Sequence, residues 1–179
     1  MADARSTRER VLAAALASFA SRGYGATSLD AVADGLGVRK QTILYYFPSK
    51  EALLAAVIER AAADLDAMLA PVGPVDGPSR VAAVVDATFR LGTRRPELLA
   101  LVREVVRLGP PASTQLLEAV RPLLRRAGAA VPEATVLTVA AMVVGVATEV
   151  EVRQAAGLPP DLAWLRRRRR AVLAELALP

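Results

Sequence analysis

A chain of 179 residues without a single cysteine or histidine excludes disulfides, Cys/His zinc sites and nucleophilic catalysis built on those residues. Hydrophobic residues make up 54% of it and aromatics only 4%, enough apolar side chain for the cores of one or two small domains. The formal net charge of +5 favours polyanionic partners, and no paired-carboxylate motif offers an alternative chemistry.

Ala, Leu, Val and Arg dominate, three of them strong helix formers, and no useful stretch alternates apolar with polar residues. The predicted fold is all-α with about nine helices. Ser6 to Glu9 fits an S-x-x-E capping box ahead of the first helix. That helix places Val11, Leu12, Ala15, Leu16 and Phe19 on one face and stops at Gly23. Thr27 or Ser28 caps a short second helix that carries Leu29, Val32 and Ala33 and ends at Gly35 and Gly37. A third helix runs from about Arg39 to Tyr45. Pro48 and Ser49 break the chain, and a fourth spans Lys50 to Leu69, with Glu51 in its first turn.

The clearest linker is Pro71–Pro78, and a further break falls at Pro122 or at Gly128–Pro132. Helices are expected at about Ser79–Leu91, Pro96–Leu108, Ser113–Arg126, Glu133–Ala156 and Asp161–Leu178. The most apolar run, Ala134–Thr148, is shorter than the roughly 20 residues a bilayer requires, so it reads as a buried helix and not a membrane span. The charged N-terminus, Met1 to Arg10, does not read as a signal peptide, and a cytoplasmic location is expected. No metal or other cofactor is expected.

The segment Thr27–Lys50 carries the chemistry. Ala33 allows two helices to approach, Gly37 permits positive φ in the turn, and Val38 and Ile43 anchor the third helix inward. Arg39, Lys40, Gln41, Thr42, Tyr45 and Tyr46 are left facing outward. Both lysines of the chain, Lys40 and Lys50, fall here, and no acid lies between Asp34 and Glu51. Arg and Lys neutralise phosphates or read guanine, Gln pairs with adenine, Tyr hydroxyls bond phosphates and Thr methyls meet thymine. Thr27 and Lys50 sit at predicted helix N-termini, where backbone N–H groups attract a phosphate. Two short helices joined by a glycine turn, followed by such a surface, form the layout of a helix-turn-helix.

On these residues the segment resembles the tetracycline-repressor (TetR) family of transcriptional regulators. Thr27 opens the second helix, A-x-x-x-G-V stands at Ala33–Val38, K-x-T at Lys40–Thr42 and YYFPSKEAL at Tyr45–Leu53. The resemblance in motifs covers roughly Arg8 to Val57. Two positions depart from the family's pattern: Arg39 stands where a capping Ser is usual, and Leu44 where a Tyr is usual, with tyrosines at the next two positions. Losing a cap costs about 0.5–2 kcal/mol. Which of Tyr45 and Tyr46 reaches a phosphate is open.

The resemblance implies a DNA-binding domain over residues 1–49 and a helical effector-binding and dimerisation domain over 50–179. A homodimer would present two recognition helices to a palindromic operator in double-stranded DNA, with half-sites roughly 34–36 Å apart or a larger whole-turn spacing. Val136, Val139, Val143, Val146, Ala147 and Val150, with Leu162, Leu165, Val172 and Leu176, are the apolar set expected at the dimer interface. A small apolar effector is expected among Leu65, Phe89, Val102, Arg103, Leu117 and Met142. Arg166–Arg170 cover every side of a helix and are expected to form an exposed face with one or two interhelical ion pairs to Glu149 or Glu151. The competing readings are a helical ligand-binding or interaction module with a degenerate head, and a helical enzyme. The latter lacks histidine, cysteine and any phosphate-cradling glycine motif.

Overall fold

The computed structural model describes residues 2–69, 89–90, 94–126, 141, 145, 148–149, 152–153, 155–158 and 162–175. Among them are seven helices and no strand: α1 (Ala2–Arg22), α2 (Leu29–Leu36), α3 (Lys40–Tyr46), α4 (Lys50–Leu69), α5 (Pro96–Leu108), α6 (Ala112–Arg126) and α7 (Leu162–Glu175). The predicted helices over 79–91 and 133–156 fall mainly outside the described residues, as does the linker Pro71–Pro78.

α1 begins at Ala2, four residues ahead of the predicted start, so Ser6 is an interior residue and not a cap. Neither Gly nor Pro interrupts the chain from Ala2 to Arg22, and Ala and Arg propagate the helix through that stretch. α1 stops where predicted. Gly23 adopts φ +83° and its N–H returns to the Phe19 carbonyl at 3.2 Å. α6 also departs from expectation by running through Pro122, one of the two sites proposed for a break.

α1 is the hub of the packing, with α2, α3, α4 and α5 all laid against it, while α6 covers α4 and α5. Its predicted stripe, Val11, Leu12, Ala15, Leu16 and Phe19, is buried throughout. Against it lie Val32 and Ala33 of α2, Ile43 of α3, Leu53, Leu54, Val57 and Ile58 of α4, and Leu98, Leu99, Leu101 and Val105 of α5. Phe89 and Trp164 of α7 join the same cluster. Fully burying each of the larger side chains is worth about 1.5–3 kcal/mol, so α3, with seven residues, owes its place to Ile43 and to the following Phe47.

Among the described residues no helix is long and apolar enough to cross a membrane, and no group of three or more acids is placed to hold a metal ion.

Candidate nucleic-acid interface

The turn between α2 and α3 is built from two different ends. Ser28 is the N-cap of α2 and its hydroxyl accepts the Ala31 N–H at 3.0 Å. Gly37 closes α2 in the left-handed region, φ +65°, with its N–H directed to the Ala33 and Asp34 carbonyls. A side chain there would be strained, which is the role expected of this glycine. Arg39 occupies the N-cap of α3 in an extended conformation and makes no side-chain capping bond. The missing cap anticipated from the sequence is therefore present as such.

The Thr27 side chain turns inward. It is 2% exposed and its hydroxyl donates to the Gly23 carbonyl at 2.9 Å, with the Ser18 carbonyl 3.3 Å away. The side chain ties the α1–α2 loop to the end of α1 and is not presented outward. The hydroxyl's one proton is satisfied inside the fold, closest to the Gly23 carbonyl, and the capping falls to its exposed neighbour Ser28.

Arg39, Lys40 and Gln41 are exposed at the start of α3 and Thr42 is half-buried on its flank. Tyr45, one helical turn beyond Gln41, is 83% exposed. Tyr46 packs against the core cluster and meets Tyr45 edge-on at 5.0 Å between centroids. Of the two tyrosines, Tyr45 is therefore the one free to extend away from the fold.

Two contacts were not legible along the chain. The acid-free run from Gly35 to Lys50 has an acid in space: Asp30 of α2 holds the Lys40 ammonium at 2.8 Å. Lys50, the first residue of α4, lies with its ammonium 4.1 Å from the centroid of the Tyr24 ring. The Tyr24 hydroxyl donates to Glu51 Oε1 at 3.0 Å, and burial followed by that bond pushes its pKa up to about 12. Glu51 is held below the usual carboxylate range first by the backbone N–H it accepts, then by Ser49 and Tyr24. Ser49 meanwhile caps α4 by accepting the Ala52 N–H at 3.1 Å.

One buried acid ties α5 to the loop after α1. Glu104 of α5 is 5% exposed, and its Oε1 accepts the Tyr24 backbone N–H at 2.6 Å. Arg107 donates two further bonds to it at 2.8 and 2.7 Å. Those bonds, aided by Tyr24 N–H, outweigh burial and hold the carboxyl below the ordinary glutamate range. Nothing in the residue pattern marked Glu104, which sits in the apolar stripe of α5 where a carboxylate is not expected.

Of the residues expected at an effector site, Phe89 is in the core, Leu65 packs beside it, and Val102 and Arg103 are half-buried. Leu117 is 43% exposed on α6, which removes it from an enclosed apolar site. Met142 lies outside the described residues. So do Val136, Val139, Val143, Val146, Ala147, Val150 and Leu176, and the side chains of Leu162, Leu165 and Val172. In the arginine run, Arg166, Arg167 and Arg170 are exposed.

A short helix presenting arginine, lysine, glutamine and tyrosine, set by a left-handed glycine turn on a second short helix, is a helix-turn-helix head. Residues 11–57 match the family model described as bacterial regulatory proteins, tetR family. The chain is similar to the HTH-type transcriptional regulator RutR of Escherichia coli K12, 45% identical over 65 residues, which cover 36% of this chain and 29% of RutR. It is also similar to the HTH-type transcriptional repressor SCO4008 of Streptomyces coelicolor, 33% identical over 100 residues, 56% of this chain and 50% of that one. The matched stretches thus span half or less of these relatives. In fold, the crystal structure of SCO4942 from Streptomyces coelicolor aligns with a TM-score of 0.64 at 24% identity, covering 95% of this chain and 97% of that one. The two curated relatives carry the names of regulators, not of enzymes.

Proposed function

We propose that the protein is a sequence-specific DNA-binding transcriptional regulator, a homodimeric repressor of a palindromic operator that a small apolar effector releases. The observation that carries the reading is the outward set on α3. Arg39, Lys40, Gln41 and Tyr45 are exposed on a helix whose inner residue, Ile43, is fully buried, within the stretch that matches the tetR family. In this reading residues 1–49 form the DNA-binding domain and residues 50–179 the effector-binding and dimerisation domain. Gln41 and Arg39 read base edges, Thr42 flanks them, and Tyr45 and Lys50 grip phosphates. Repression is favoured by the name of SCO4008. Effector release follows if the effector binds the conformation that does not fit the operator, which shifts the population away from DNA.

The test begins with sequencing the genomic fragments that the purified protein retains. The recurrent site is then used as a labelled duplex in anisotropy titrations across a series of salt concentrations. Lys50→Ala is expected to weaken all sequences alike and to reduce the salt slope by about one unit, whereas Gln41→Ala relaxes discrimination at one operator position. A recovered site with two inverted half-sites supports the dimer. Wild-type protein that prefers no duplex, or unchanged operator affinity in both variants, overturns the reading head described here.

A further inference from the structure

We propose that Tyr24, in the loop between α1 and α2, is a positioning residue for the phosphate contact of Lys50. This deepens the DNA-binding function proposed above and rests on it. Lys50 is half-buried and its ammonium stands 4.1 Å from the centroid of the Tyr24 ring, inside cation–π range. A lysine side chain is flexible and loses rotamer freedom when it grips a phosphate. A ring that already holds the ammonium removes part of that loss before the DNA arrives.

The ring can serve this purpose only if it is itself held, and it is held from three sides. Its backbone N–H donates to Glu104 Oε1 at 2.6 Å, its hydroxyl donates to Glu51 Oε1 at 3.0 Å, and its face tilts against Phe19 at 5.4 Å between centroids. Phe19 is 1% exposed and does not yield. The division of labour suits the aromatic: the hydroxyl meets a carboxylate at the rim, while the electron-rich face meets the cation. Gly23 completes the seat. A Cβ at that position would stand 3.2 Å from Glu104 Oε1, so a side chain there would press on the acceptor of the Tyr24 N–H. Through this seat the body helix α5 sets the position of a lysine on the DNA side of the molecule.

Two measurements test the proposal, one of them without DNA. The chain contains only two lysines, so selective isotope labelling of lysine yields two side-chain signals. In the free protein the Lys50 Hε resonance, assigned by Lys50→Ala, is expected upfield of the Lys40 resonance through the ring current, and to lose that shift in Tyr24→Leu. A Lys50 signal at the ordinary lysine position in wild-type protein overturns the proposal. In anisotropy titrations with a short mixed-sequence duplex, Tyr24→Leu is expected to weaken binding about threefold and Tyr24→Trp, which keeps a ring face, to restore most of it. In the Lys50→Ala background, Tyr24→Leu is expected to cost nothing further. An equal loss in both backgrounds assigns Tyr24 a purely structural role and overturns the proposal. If wild-type protein has the shifted Lys50 signal yet binds no duplex even at low salt, the seat is real, and it is the DNA-binding function and this use of the lysine that fall.

Discussion

In the function proposed above, Asp30 is the residue whose partner matters most for how α3 would meet DNA. Its carboxylate pairs with Lys40 beside the run Gly35–Lys50, which itself carries no acid, and both side chains are exposed, so the pair itself adds little stability. Its effect is expected in binding: Lys40 would have to leave Asp30 to reach a phosphate, and Asp30 would then repel the DNA. Asp30→Asn is expected to raise affinity for mixed-sequence duplex and to steepen the salt slope by up to about one unit, measured by anisotropy against salt. No change in slope would mean that Lys40 takes no part in binding. Within Thr27–Lys50 the inward set was legible, because Val32, Ala33 and Ile43 follow helical spacing. The inward turn of Thr27 and the contacts of Asp30 and Tyr24 were not legible there. A hydroxyl's direction, and a carboxylate ten residues from its lysine, depend on how two helices cross.

The two short helices are secured unequally. α2 has a serine cap at Ser28 and a left-handed glycine at Gly37, whereas α3 opens on Arg39 with no side-chain cap. Arg39→Ser is expected to stabilise the protein by about 0.5–2 kcal/mol, read as a raised thermal midpoint, and to weaken duplex binding in the same preparation. A variant both more stable and equally tight would show that Arg39 does not touch DNA. Most helix ends were legible because caps and glycines are local chemistry: Gly23, Gly37, Ser49 and Gly109 all end or begin helices where the residues suggest. The start of α1 and the passage of α6 through Pro122 were not. Helix propagation before Ser6 and tolerance of an exposed proline depend on the surrounding stretch as a whole, not on one signal residue.

Among the described residues, α1, α4 and α5 share buried side chains and a set of ion pairs. Arg60 of α4 pairs with Glu9 of α1 and with Asp64, and Asp64 in turn accepts from Arg95 at the N-cap of α5 at 3.0 Å. These groups are partly exposed, so each pair contributes modestly. Glu104 is buried and contributes more. Its carboxyl has a lower pKa folded than unfolded, so its contribution is present above the ordinary glutamate range and lost as pH falls through the folded value. Thermal midpoints of the wild type are therefore expected to drop on acidification from about pH 5 to about pH 3 more steeply than those of Glu104→Gln. At neutral pH, Glu104→Gln is expected to be less stable by about 1–3 kcal/mol, because the neutral amide bonds Arg107 and the Tyr24 N–H more weakly. Parallel pH profiles would show that Glu104 is not ionised in the way its surroundings require.

The all-helical class, the apolar stripe of α1, the glycine turn and the resemblance of the N-terminal segment to the tetR family could all be read along the chain. All of these depend on residues close together along the chain, through propensity, capping and the helical period. Packing in three dimensions is what turns Tyr45 and not Tyr46 away from the fold, turns Thr27 inward, sets Asp30 against Lys40, and brings Glu104 across 80 residues to the backbone of Tyr24. Direction and long-range pairing are properties of packed helices, and each is settled by which faces are buried against one another.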